Sequence, residues 1–298
     1  MNKKKSFTNQ QEYASFLKNA LALKGSVTPI VAKNVFYIFV YACLVSAIHH
    51  FIQSFAIPIG PFEYAGLMLG LVLVFRINAG YDRWWEARII WGNLVNHSNN
   101  LAIIINNYLS TSNRSRAVKI SNYLAAMPFL IKNKLRHDES QTDVSDIIDA
   151  DSYREISRSQ NHPLTLSSMI ARELNLAKNH NEIDSFSFLK AEEQRALLMD
   201  CLGACERILN TPIPFVMAVK ARRFILIFLL ALPLGLVDIS ALVSPFITAL
   251  VAYAIFSIDQ IGFELQHPFS INSLSHLPLD ALCTTIKSNI TEVKDRTA

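Results

Sequence analysis

Phe62–Tyr81 reads FEYAGLMLGLVLVFRINAGY and runs without a helix breaker into Asp82-Arg83-Trp84-Trp85-Glu86-Ala87-Arg88. An apolar segment of this length crosses the hydrocarbon of a bilayer, and the charged, Trp-rich stretch after it suits the interface. Leu67, Leu71 and Phe75 recur at i, i+4 and i+8, on one slowly drifting face of a helix. Beside them Gly66 and Gly70 form a G-x-x-x-G pair that lets another helix come close. Repeated around an axis by oligomerisation, such a wall makes a constriction in a pore. The same periodicity also fits side chains that only pack or face lipid.

Working outward, hydrophobic residues make up 51% of the 298 and charged ones 17%, with a mean hydropathy of +0.25. Apolar runs occupy residues 30–81 and 224–258, while 111–210 is polar with amphipathic helical patterning. This is the pattern of an all-α, polytopic membrane protein with a substantial water-exposed region. The net charge of +4 is modest, and no basic patch interleaved with aromatics suggests nucleic acid. The start, Met1-Asn2-Lys3-Lys4-Lys5, is basic, but Ser6–Ala20 has no apolar h-region, so insertion is expected to begin at the first internal span.

Four spans are predicted. The first is Ile30–Ala56; a turn at Ile57–Pro61 leads to the second, with Gly60 as N-cap, Pro61 at the first helical position and Glu63 in the first turn. That helix should continue past the membrane toward Asn107. The later block divides at Val237–Ser240 into Phe224–Leu236 and Ile239–Ser257, with Pro233 and Pro245 kinking or ending helices. The expected organisation is therefore a cytoplasmic segment 1–29, spans one and two with an extension over 30–110, a cytoplasmic helical region 111–221, spans three and four over 222–258, and a cytoplasmic segment 259–298. Lys3, Lys4, Lys5, Lys18, Lys24 and Lys33 precede or open span one. Arg76, Arg83 and Arg88 follow span two, and Lys220, Arg222 and Arg223 precede span three. The two tight connections carry no Lys or Arg, which predicts both termini and the polar middle on the cytoplasmic side.

The residues offer a channel more than a catalyst. A ring of apolar side chains gates by dewetting, and no formal charge lies between Tyr64 and Phe75 to hold an ion tightly. Asn78, Asp82 and Glu86 form one polar face, and Arg83 and Glu86 at i, i+3 can pair. Trp84 and Trp85 fit an interfacial belt. His49-His50 point about 100° apart on a helix, a poor metal pair and a good interfacial anchor. Cys201 and Cys205 share a helix face and read as unpaired packing residues rather than metal ligands. No Ser/His/Asp set, phosphate loop or H-E-x-x-H is present, so neither an enzyme nor a cofactor is expected. Asn210 or Thr211 can cap a helix starting near Pro212.

Taken together, Phe75-Arg76-x-Asn78-x-x-Tyr81-Asp82-Arg83-Trp84-Trp85-Glu86-Ala87-Arg88-x-x-Trp91-Gly92 and Cys205-Glu206-Arg207-Ile208-x-Asn210-Thr211-Pro212-Ile213-Pro214-Phe215 resemble the bestrophin family in its bacterial branch. Asp259-x-Ile261-Gly262, Pro268-Phe269 and Leu277-Pro278-Leu279-Asp280 follow in the family's order, so the resemblance covers roughly residues 24–285. It implies a homopentameric channel in the bacterial inner (plasma) membrane, with one axial pore for small inorganic ions and four spans per subunit. The family's hydrophobic neck falls on Leu67, Leu71 and Phe75, and Ile183 is the counterpart of its cytosolic aperture. Animal members conduct chloride and are activated by calcium through an acidic run after Pro-Phe. Here Ser270-Ile271-Asn272-Ser273-Leu274-Ser275 follows, without the carboxylates that Ca²⁺ requires. The ion's sign stays open: the edges of Phe75 rings favour anions, Glu63 and Asp82 at the two mouths favour cations, and the bacterial branch includes cation channels. A membrane scaffold or sensor binding a cytoplasmic partner is the rival reading.

Overall fold

The computed structural model describes Phe16 and residues 20–52, 57–110, 113–138 and 142–296. Lys3, Lys4, Lys5 and Lys18, and the predicted end of span one at 53–56, lie outside the described residues. The chain divides into two units, one of residues 1–80 and 214–264, the other of 81–213 and 265–298. Among the described residues every regular element is helical.

In the first unit, α1 (Thr28–Phe51) opens with Pro at its first turn, and the Ser26 hydroxyl accepts from the Thr28 N–H at 3.1 Å. It ends at Phe51, with Ile52 extended as its C-cap. Helix α2 (Gly60–Tyr108) begins at Gly60 itself and belongs to this unit through Gly80. The third apolar helix, α8, runs Phe215–Leu236, three residues after the helix start expected near Pro212 and nine ahead of the apolar stretch expected from Phe224, because Lys220, Arg222 and Arg223 are good helix formers within it. The last apolar helix, α9, runs Ser244–Leu265 where Ile239–Ser257 was expected, so Asp259 and Glu264 belong to the same helix. Three described helices (α1, α2 and α9) have the length and composition of membrane spans by themselves. Helix α8 has the length, with its three basic residues confined to its first half.

Packing here cannot draw on the hydrophobic effect between helices and rests on close contact. Leu69, Leu73, Phe228 and Leu229 form its centre. Gly235 faces the Phe62 ring so closely that a Cβ would lie 2.7 Å from it. The predicted Gly66/Gly70 pair serves differently within the chain: Gly66 accommodates the Phe228 ring, Gly70 meets nothing, and the close backbone approach is at Gly262 against the carbonyl of Arg76.

The second unit is built around α3 (Arg114–Arg136), in which residues 123–133 are all buried. An apolar run wrapped on every side makes a central helix. After α4 (Thr142–Ser145) and α5 (Ala150–Ser157), α6 (His162–Asn179) and the C-terminal α10 (Leu279–Arg296) pack on it, while α7 (Ser185–Asn210) joins the same core. Lys132, buried within α3, reaches Asp143 at 2.7 Å and Asp280 at 3.0 Å, and Arg136 holds the other Asp280 oxygen at 2.7 Å. Partial burial alone would raise the Asp280 carboxyl, but the hydrogen bonds from Arg136 and Lys132 outweigh it and bring it from 3.8 down to about 2. A depressed carboxylate stabilises the fold above its unfolded value and loses that contribution as pH falls. Acid unfolding between about pH 4 and 2 should therefore be shallower in Asp280→Asn than in the parent chain. Denaturant titrations at several acid pH values measure this, and equal pH slopes would refute it.

Candidate functional site

The candidate wall lies on α2. In the first unit its side chains divide sharply by face. Leu67, Leu71 and Phe75 are 73%, 49% and 63% exposed, whereas Leu69 and Leu73, two residues off, are 1% and 3% exposed in the core. Glu63 and Asn78 are exposed on the same helix. Beyond Gly80, in the second unit, Asp82, Trp85, Ile89, Asn93, Asn96, Asn100, Ile103 and Asn107 are exposed in turn. Steps of three and four residues keep such positions on one helical face. Equal steps of four from Asn78 and Asp82 pass through the partly exposed Glu86 to the buried Ile90 and Leu94, whereas steps alternating between three and four reach the exposed amides of Asn93, Asn96 and Asn100.

The charged junction is a joint. Arg83 Nη1 donates to the carbonyl of Thr211 at 2.6 Å, Nη2 donates to the carbonyl of Ile208, and Nε reaches the carbonyl of Gln266 at 3.4 Å. The last carbonyls of α7 lack intrahelical partners and carry the negative end of its dipole, so a guanidinium stabilises them. Glu86 accordingly does not take the expected partner Arg83 and pairs with Arg207 at 2.7 Å. Trp84 donates its indole N–H to the carbonyl of Ser275 at 2.7 Å, tying down the segment after Pro268-Phe269. Trp85 stays half exposed and stacks parallel to Tyr81.

Ile183 is a correction. It is 3% exposed and belongs to the core of the second unit, so it offers no side chain to an aperture. Asp184 caps α7 by accepting from the N–H groups of Phe186 and Ser187. Ile183 before the cap and Phe188 in the first turn occupy the two positions of a hydrophobic staple, and that geometry turns Ile183 inward. The neighbouring Phe186 is 83% exposed. Thr211, expected as an N-cap, is instead the C-cap of α7, and Pro214 precedes α8.

Burial pushes the Cys201 thiol up to about 11, and those of Cys205 and Cys283 to about 12, which leaves them protonated packing groups. Among the described residues no cluster of three or more His, Cys, Asp or Glu is placed to hold a metal.

Apolar helices of spanning length in a chain whose regular elements, among the described residues, are all helical define an all-α membrane protein. Comparison with known proteins is more specific. A family model described as Bacterial/Fungal Bestrophin protein matches residues 7–292. A voltage-dependent anion channel-forming protein of Nostoc is 31% identical over 92% of this chain and 90% of its own, and one of Mesorhizobium japonicum is 31% identical over 93% and 89%. A crystal structure of a bacterial bestrophin homolog from Klebsiella pneumoniae superposes with a TM-score of 0.83 at 24% identity, covering 89% of this chain and 98% of that one. The chain belongs to the bestrophin family, whose members are ion channels and not enzymes.

Proposed function

We propose that this chain is the subunit of a homopentameric ion channel with one axial passage for small monovalent anions, chloride above all. The observation that carries this is the split of α2, with Leu67, Leu71 and Phe75 exposed while Leu69 and Leu73 are buried. An exposed apolar stripe on a spanning helix suits either lipid or a dewetting neck. The polar run that follows it, Asn78 and Asp82, favours the neck. The anion assignment is supported by the names of the relatives, and Glu63 and Asp82 at the ends of the stripe are the residues that argue for cations. Purified protein in planar bilayers under a tenfold KCl gradient should reverse near the chloride equilibrium potential. Reversal near the potassium potential would overturn the anion assignment and direct attention to Glu63→Gln and Asp82→Asn. A correctly assembled protein that passes no ions would favour the scaffold reading.

The membrane is taken to be the bacterial inner membrane, with both termini and residues 111–221 cytoplasmic. Support comes from the basic residues, since Arg222 and Arg223 lie in the first half of α8 while the connection at Val237–Ser240 has none. A cysteine introduced at Ala150 should resist a membrane-impermeant thiol reagent in intact cells. Efficient labelling there would reverse the topology.

A further inference from the structure

Within the first unit a cavity of about 480 Å³ opens among α1, α8 and α9. Its walls are apolar at Ile38, Leu226 and Phe256, and polar groups gather at Asn34, Arg222, Asp259 and Gln260. The polar groups lie toward the start of α1, the start of α8 and the end of α9, one common end of an antiparallel set. This is the end where Lys33 and Arg223 also fall, which the basic-residue asymmetry assigns to the cytoplasmic leaflet.

Two carboxylates lie at this end of α9, and one of them, Glu264, accepts from the Gln260 amide at 2.6 Å. Asp259 stands 2.8 Å from Arg76 Nε and 3.4 Å from Arg222 Nε, so one carboxylate serves two guanidiniums. The Arg76 side chain is 8% exposed and that of Arg222 is 53%, so the guanidinium still accessible at the cavity mouth is that of Arg222. The Arg222 guanidinium also lies over the Phe263 ring at 5.6 Å, which holds it in place. A planar, preorganised guanidinium matches a phosphate through paired hydrogen bonds, and a basic pocket between spanning helices is a place for an anionic headgroup. We propose that this cavity binds one anionic phospholipid of the cytoplasmic leaflet, its phosphate on Arg222 and an acyl chain along Ile38, Leu226 and Phe256. The site rests on the topology proposed above and does not depend on ion conduction.

The test is binding of phosphatidylglycerol, phosphatidylcholine and inorganic phosphate to the purified assembled protein, followed by native mass spectrometry. Phosphatidylglycerol should bind more tightly than phosphatidylcholine. Arg222→Gln should weaken it about tenfold, the size of one charge-assisted hydrogen bond. Arg223→Gln, the same charge change on the next residue of α8, should leave it within about twofold. Leu226→Trp, which fills the groove and leaves the guanidinium in place, should weaken both lipids. If Arg222→Gln does not fold, Arg222→Lys and Leu226→Trp carry the test, since the first removes the fork and the second the chain's seat. Equal affinity in the Arg222 and Arg223 variants would overturn the proposal. So would displacement of the lipid by equimolar inorganic phosphate, which would mark a site for soluble anions. A cross-link from a cysteine at 226 to a neighbouring copy in the assembled protein would show that a second subunit fills the groove instead.

Discussion

Replacing Leu71 by Ser raises ion flux through reconstituted protein by about tenfold or more, and Leu71→Ala raises it less. If Leu71 is the middle of three apolar rings, the closed state is a dewetted plug whose barrier is the cost of putting an ion where water will not stay. A drop of ~1.4 kcal/mol in that barrier is a tenfold change in rate, and a hydroxyl in every subunit lets the ring wet. Leu73 provides the control. It is 3% exposed among Leu69, Phe228 and Leu229, so Leu73→Ala should cost ~2–5 kcal/mol of stability without opening the passage. Fluorescence-quench flux in liposomes, on variants that elute at the parent's size, reads both. If the Leu71 and Leu73 variants conduct alike, the exposed stripe faces lipid and the neck must be sought elsewhere.

The second large effect concerns the ion pair of Arg76 and Asp259, whose side chains are 8% and 11% exposed. Removing one member of a buried pair strands the other, at a cost of ~3–5 kcal/mol. The two halves are unequal here. Asp259 retains Arg222 at 3.4 Å when Arg76 is lost, whereas Asp259→Asn leaves the buried Arg76 facing a neutral amide. Thermal unfolding in detergent should rank Asp259→Asn as more damaging than Arg76→Met. The double variant should be less damaging than the sum of the two, because the second change removes the stranded charge. Additive losses would show that the two side chains do not stabilise one another.

Much of this was legible because periodicity survives translation into structure. Leu67, Leu71 and Phe75 separate from Leu69 and Leu73 on a helix wherever its neighbours lie, and the division between exposed and buried follows that separation. The start of α8 was legible from the proline signal near Pro212 and not from hydropathy, which marks only the apolar stretch from Phe224 while the helix already runs across Lys220, Arg222 and Arg223. The partner of Arg83 was not legible. Spacing on one helix offers Glu86, while the carbonyls of Ile208, Thr211 and Gln266 are brought to it only by the fold. Ile183 shows the weakness of aligning a variable loop: its burial depends on the cap at Asp184, a local geometry that a counterpart position does not carry with it.

The packing of α10 on α3 has a consequence for biosynthesis. The central helix of the second unit ends at Arg136, and the helix that covers it, with Cys283, Ile286 and Ile290 turned into the core, begins at Leu279. Between them in the chain lie the rest of that unit and two apolar helices that go to the other one. At a synthesis rate of about 5–20 residues per second, the ribosome works for on the order of ten seconds after releasing the central helix before its cover exists. For that interval the apolar run 123–131 lacks its cover, and at nine residues it falls well short of the about 17–25 that a membrane span needs, so it is not taken for one. Pro128 within it, and the paired cations Lys132 and Arg136 at its end, make this stretch a poor span while it waits.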